Sequence, residues 1–172
     1  AYFEPGYVDA ADLPHTVTQP DGVTVAIETS PLRAPLVPDE DSPAPVFDAA
    51  AWGPTKDVPL GTLIGSRSGD KGGSANIGVW ARSDDAYAWL DSFLTVEKLK
   101  ELLPEAADLT VHRYRLPNLN AVNFVIEKIL GRGVAEQVRF DPQAKGLGEW
   151  LRSRVVPVPE KLLNQPTQTQ KD

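Results

Sequence analysis

Apolar and polar positions alternate along Asn76–Arg82. Ile77, Val79 and Ala81 share one face, and Asn76, Gly78, Trp80 and Arg82 share the other, which is the period of a strand with one buried face. Val58–Arg67 reads as a partner strand. Ser83-Asp84 then offers a helix N-cap before Tyr87, Leu90 and Leu94, which recur at helical spacing. Thr95 caps a second helix whose stripe is Val96, Leu99, Leu102 and Leu103, and Pro104 stops it. Leu109–Leu116 reads as a strand ended by Pro117. Asn118-Leu119-Asn120 is expected to cap a helix carrying Val122, Val125, Ile126, Ile129 and Leu130, with Gly131 just past its end. Gln137–Phe140 is expected as a short strand. Asp141-Pro142 is expected to open a helix carrying Leu147, Trp150 and Leu151, and Val155–Pro159 to form a short edge segment.

Two further segments precede this region. His15–Thr18 and Val23–Ile27 are strand-like and flank Gln19-Pro20-Asp21-Gly22, a hairpin signal. A lone two-stranded hairpin is marginal in water, so it is expected to dock on another domain or a second copy. Between Thr29 and Lys56 there are six prolines and the acidic run Asp39-Glu40-Asp41, the composition of an extended linker. The tail from Gln165 to Asp172 is polar, lacks periodicity and is expected to be disordered. The divisions are therefore 1–28 hairpin, 29–57 linker, 58–158 compact domain and 159–172 tail. Strands and helices mix without regular alternation, which predicts an α+β fold: an antiparallel or mixed sheet with helices mainly on one face.

Charge sharpens this division. The net charge of −7 is concentrated at the front: residues 1–57 carry 10 acidic and 2 basic side chains, and residues 58–172 carry 14 and 15. Neither part has the basic face of a nucleic-acid binder. No apolar run approaches the ~18 residues of a membrane span. Cysteine is absent, which excludes disulfides and thiolate metal sites and fits a cytoplasmic location. Histidine occurs only at positions 15 and 112, so a His-rich metal site is not available; no metal and no bound cofactor are expected. The chain opens at Ala1-Tyr2-Phe3 and reads as a fragment, a processed product or a trimmed chain.

Candidate chemistry gathers in Gly65–Asn76. Six of the 13 glycines lie between Gly61 and Gly78, with Arg67, Asp70 and Lys71 among them. Glycine-exposed backbone N–H groups can form an anion-binding concavity, which Arg67 and Lys71 would reinforce. The plain alternative is a wide hairpin turn with solvated charges. A P-loop is excluded because Gly72 follows Lys71 where Ser or Thr is required, and the dinucleotide fingerprint is absent.

The run from Gly65 to Arg82 resembles the signature (A/S)-R-S-G-D-K-G-x-x-A-N-I-G of the C-terminal domain of acyclic terpene utilisation (AtuA-like) proteins, with every fixed position present. Leu116–Phe124 is similar to that family's L-P-N-L-x-A-x-N-F element. Asp141–Gly148 is similar to its D-x-x-G-K-x-L-G element, departing at Ala144 and Gly146. Val17–Val25 resembles the V-x-x-P-D-G-x-x-V hairpin near the end of the family's large N-terminal domain. The resemblance implies a ferredoxin-like fold, although the hairpin-first element order departs from the standard βαββαβ. It also implies a part in catabolism of acyclic terpenoids and branched acyl-CoA compounds.

On this reading Arg67, Ser68, Gly69, Asp70, Lys71, Gly72, Gly73, Asn76, Asn120 and Asn123 are candidates for binding a substrate or anion. A CoA thioester is the expected substrate. Asp70 and His112 are weak catalytic candidates; Asp70 is favoured as an orienting group, and His112 can equally be an ordinary strand residue. The asparagines can orient a carbonyl or simply cap turns. Trp80, Trp89 and Trp150 are expected in the core or an interface. Two functions stay open. One is part of an acyl-CoA-processing enzyme, not catalytic alone. The other is an assembly module that joins the large domain or another subunit in a homo- or hetero-oligomer. The linker reading has a direct check: limited proteolysis should cut within 29–56 before it cuts within 58–156.

Overall fold

The computed structural model describes residues 8–28, Ala34 and 43–164; the polar tail from residue 165 and residues 29–33 and 35–42 of the expected linker lie outside them. Two units are separate, 1–40 and 41–172. In the first, β1 (Thr16–Thr18) pairs antiparallel with β2 (Thr24–Ala26). Gly22 turns the chain at φ 84°, and the Asp21 carboxylate accepts the Val23 N–H at 3.0 Å. Every residue of both strands is exposed.

The second unit begins with a short turn at Ala49–Trp52, capped by the Asp48 side chain, so the end of the expected linker is structured. β3 (Thr55–Pro59) follows, and pairs with β8 (Val155–Pro159) as a separate two-stranded sheet. The expected strand from Val58 to Arg67 is thus two strands, broken by a turn at Leu60–Thr62. The main sheet holds β4 (Ile64–Lys71), β5 (Ser74–Ala81), β6 (Val111–Leu116) and β7 (Ala121–Ile126), in the order β4-β5-β7-β6. All of its pairings are antiparallel.

Helices α1 (Asp84–Phe93) and α2 (Val96–Leu102) begin where the sequence places them. The Ser83 and Thr95 side chains accept the N–H groups of Ala86 and Lys98. α1 packs on β5 and β7, α2 on β6, and α3 (Leu147–Ser153) on β4 and β5. Their apolar sides close over Ala75, Ile77, Val79, Val122, Phe124 and Ile126, each fully buried. Burial of the Val, Ile and Phe side chains among them is worth roughly 1.5–3 kcal/mol each, and it holds the layer together. α4 (Glu160–Leu163) ends the described chain and packs on β8.

The segments β5, α1–α2, β6, β7, α3 and β8 follow the ferredoxin-like order, with β7 inserted between β5 and β6. β8 leaves that sheet to join β3, and its edge place beside β5 is taken by β4. The hairpin-first order and the ferredoxin-like layer are therefore compatible.

Three further sequence expectations change. The expected helix after Asn120 is strand β7. Val122, Phe124 and Ile126 fit a two-residue period as well as a helical one, and Asn120 at φ 49° turns the chain straight back beside β6. Gln137–Phe140 forms no strand, and Val138 and Phe140 are fully exposed. Asp141 does not start a helix. Its carboxylate accepts the N–H groups of Lys145 and Gly146, both at 2.9 Å, and shapes the loop before α3.

Arg113 is a charged residue on the helix-covered face. Its guanidinium donates to the Leu94 carbonyl (3.0 Å), the Asp91 carbonyl (2.9 Å) and the Asp91 carboxylate (2.6 Å), so it satisfies the carbonyl end of α1. The pair is largely buried. Arg113→Met should therefore cost about 3–5 kcal/mol in urea unfolding, because Asp91 is left buried and unpaired. The double variant with Asp91→Leu should recover most of that loss.

Candidate functional site

The expected glycine-rich loop is a continuation of two strands. β4 runs to Lys71, β5 starts at Ser74, and only Gly72-Gly73 remain as the turn. In paired strands successive N–H groups point to opposite edges, so they cannot converge on an anion as the loop reading required. The glycines have other uses. Gly72 takes φ 63° in the turn. Gly73 lies against backbone: a methyl there would fall 2.1 Å from the Gly131 carbonyl oxygen. At Gly65 it would fall 2.3 Å from the Trp80 indole, which lies across that residue.

The helices cover one face of the sheet and leave the other open. Register places three rows across the open face: Gly65, Trp80, Ala121, Leu116; Arg67, Gly78, Asn123, Tyr114; and Gly69, Asn76, Val125, His112. Trp80 is 37% exposed, Leu116 41% and Tyr114 52%. Gly78 lies at the centre, bordered along its strand by Trp80 and Asn76 and across it by Arg67 and Asn123, so the face dips there. The Asn76 amide donates to the Asn123 carbonyl oxygen at 3.2 Å, across that dip. Arg67 is exposed and makes no ion pair with any described residue. His112 Nε2–H donates to Glu127 at 2.7 Å on the far edge strand.

Residues 58–157, more than half of the chain, match the family model described as the AtuA ferredoxin-like domain. The chain belongs to the AtuA ferredoxin-like family. No curated protein and no solved structure matches it.

In this AtuA ferredoxin-like domain the candidate residues separate. Arg67, Gly69, Lys71, Asn76, Asn123 and His112 lie on the open face, though His112 is three strands away from Arg67. Ser68 and Asp70 lie on the helix-covered side of β4. Ser68 Oγ accepts the Gly148 N–H at 2.8 Å and donates to the Lys145 carbonyl at 3.1 Å. Lys71 Nζ donates to the Asp70 carbonyl at 3.1 Å. Asn120 holds a turn: its amide donates to Asp84 at 2.9 Å. Gly72 and Gly73 form the hairpin tip. Among the described residues no cluster of His, Cys, Asp or Glu could hold a metal ion, and no helix is long and apolar enough to cross a membrane.

Two clefts are formed among the described residues. One of about 290 Å³ lies between the β4 edge and the start of α3, lined by Ser66, Arg67, Ser68, Lys145, Gly148 and Glu149. The other, about 720 Å³, is more apolar and is lined by Ile129, Phe140 and Trp150 with Arg139 and Asp141. Sequence reasoning missed Tyr114 and the central place of Gly78. The alternation of Asn76, Gly78 and Trp80 was readable, but only β7 as a strand sets Asn123 and Tyr114 in the same row. The glycine roles predict an order of stability in thermal melts. Gly73→Ala should be the most destabilising, Gly72→Ala should cost about 1–2 kcal/mol for its left-handed backbone, and Gly78→Ala should lie within about 0.5 kcal/mol of wild type.

Proposed function

We propose that this domain is the C-terminal assembly module of an AtuA-type protein of acyclic terpenoid and branched acyl-CoA catabolism. Its open sheet face receives the family's large N-terminal domain or another subunit, and catalysis belongs to the cytoplasmic oligomer so formed. The open face carries this reading. It presents Trp80, Tyr114 and Leu116 to solvent around a glycine floor, while α1, α2 and α3 cover the opposite side. Aromatic side chains around a close-approach surface are the usual anchors of a protein interface. The side chains that could serve as base or nucleophile argue in the same direction. His112 is engaged by Glu127 on one edge strand, and Ser66 and Ser68, on the other, bond to backbone groups.

A second reading concerns substrate. Arg67 is an exposed guanidinium beside the Asn76–Asn123 amide pair, a combination that suits the phosphates or thioester carbonyl of a CoA ester brought to the interface.

The two readings separate in titration. Tyr114→Ala should weaken association with the separately produced large domain by about tenfold, read by sedimentation or calorimetry, with unfolding unchanged. Arg67→Ala should weaken binding of a CoA thioester by about 1.5–3 kcal/mol. If Tyr114→Ala leaves association intact, the open face is not the seat; if Arg67→Ala leaves thioester binding intact, the substrate reading fails.

A further inference from the structure

Gln137-Val138-Arg139-Phe140 carries strand-forming residues and has no strand to pair with, yet its side chains still alternate. Gln137 and Arg139 turn towards the protein. The Gln137 amide donates to the Leu130 carbonyl, and the Arg139 guanidinium donates to Glu105 at 3.2 Å. Val138 and Phe140 turn the other way and are fully exposed. Just beyond them the Asp141 carboxylate holds the N–H groups of Lys145 and Gly146. The two apolar side chains are thus held out by a segment that is itself tied down, which lowers the ordering cost of any contact they make.

Beside them lies the cleft of about 720 Å³. Phe140 forms one of its walls, and Ile129 and the half-exposed Trp150 of α3 form others. A phenyl ring fits a cavity of about 150 Å³, so the cleft has room for one together with a neighbouring valine. The chain's own Phe140 does not fill it, because that ring stands fully in solvent. Apolar side chains exposed singly need no explanation, but these are gathered around one cleft. A protruding ring and a cavity that would take it lie side by side in one patch. That is the condition for a self-complementary surface, in which a two-fold axis sends each copy's ring into the other's cavity.

The charges agree with this occupant. The ionic side chains lining the cleft are Glu105, Asp141 and Arg139, and the Arg154 guanidinium lies 5.1 Å from the centre of the Trp150 ring. Two carboxylates and two guanidiniums balance, although the whole chain carries −7. A second copy of the patch therefore meets no net repulsion, whereas a strongly charged partner finds nothing here to select it.

We propose that this patch binds a second copy of the chain in a two-fold dimer, with Phe140 and Val138 of each copy seated in the other's cleft against Ile129 and Trp150. Aromatic side chains bury about 150–250 Å² each, so two phenylalanines and the walls that receive them make a contact near the lower end of standard interfaces, about 1,200 Å². The dimer is accordingly reversible and concentration-dependent. α3 packs on the helix-covered side of the sheet, so this surface is separate from the open face and stands or falls independently of the assembly reading.

The test is sedimentation equilibrium of the full chain, repeated in a Tyr114→Ala background to remove the open face from the question. Self-association should be the same in both. Phe140→Asp should weaken it by about tenfold or more, with the melting temperature unchanged, because the exposed ring has no burial within its own chain to lose. Phe140→Leu, which keeps a smaller apolar side chain, should fall between the two. In a mixture of isotope-labelled and unlabelled chains, filtered NOEs should join the Phe140 ring of one copy to the Ile129 methyl groups of the other. A chain that stays monomeric up to about 1 mM, the weak end of specific association, would overturn the proposal. So would a dimer indifferent to Phe140→Asp, a dimer lost with Tyr114→Ala, or intermolecular NOEs confined to Trp80, Tyr114 and Leu116.

Discussion

One-sided burial of the four-stranded sheet is the constraint on which the rest depends. Ala75, Ile77, Val79, Val122, Phe124 and Ile126 must all leave water, and only helices on that side can remove them from it. The loops α1–α2 and 127–146 then have to return the chain to the same side. The opposite face is left without cover from this unit.

The covered side is not uniformly apolar, and its polar members fix the pieces in place. Ser66 donates to the Gly78 carbonyl, Ser68 ties β4 to the start of α3, and Arg113 ties β6 to the end of α1. Gly148 is needed where α3 meets β4, since a methyl there would approach the Ser66 hydroxyl to 2.6 Å. Apolar burial supplies most of the driving force, whereas these directional bonds and close approaches set which strand meets which helix. The Gly-rich signature is therefore largely structural: it makes a tight turn, seats an indole, and lets backbones touch. On the proposed reading its functional content is narrower and lies in Arg67 and in the dip above Gly78.

The two faces also divide the chemistry. On the covered side, Arg113 is consumed by helix carbonyls and a carboxylate. Arg67, on the open side, has no ionic partner among the described residues. On the proposed reading, the apolar rim, the glycine floor and the guanidinium without an ionic partner serve recognition, and His112 lies three strands away from Arg67.

Local patterns were enough for much of this. Alternation along β5, the caps at Ser83 and Thr95, and the stripes of α1 and α2 were all legible, because each is decided by residues within one or two turns of one another. The three motifs were also sufficient to assign the family. The identity of β7 was not legible: Val122–Leu130 satisfies both periods, and the choice falls to pairing with β5 and β6, strands distant in sequence. Nor was the character of the glycine-rich run. Glycine permits a loop, a turn or a strand alike, and only cross-strand register made Gly65–Lys71 an edge strand. Tertiary structure alone decided which side of the sheet each candidate side chain occupies. Ser68 and Arg67 are adjacent in the chain, yet the pleat sends one under a helix and the other to the open face.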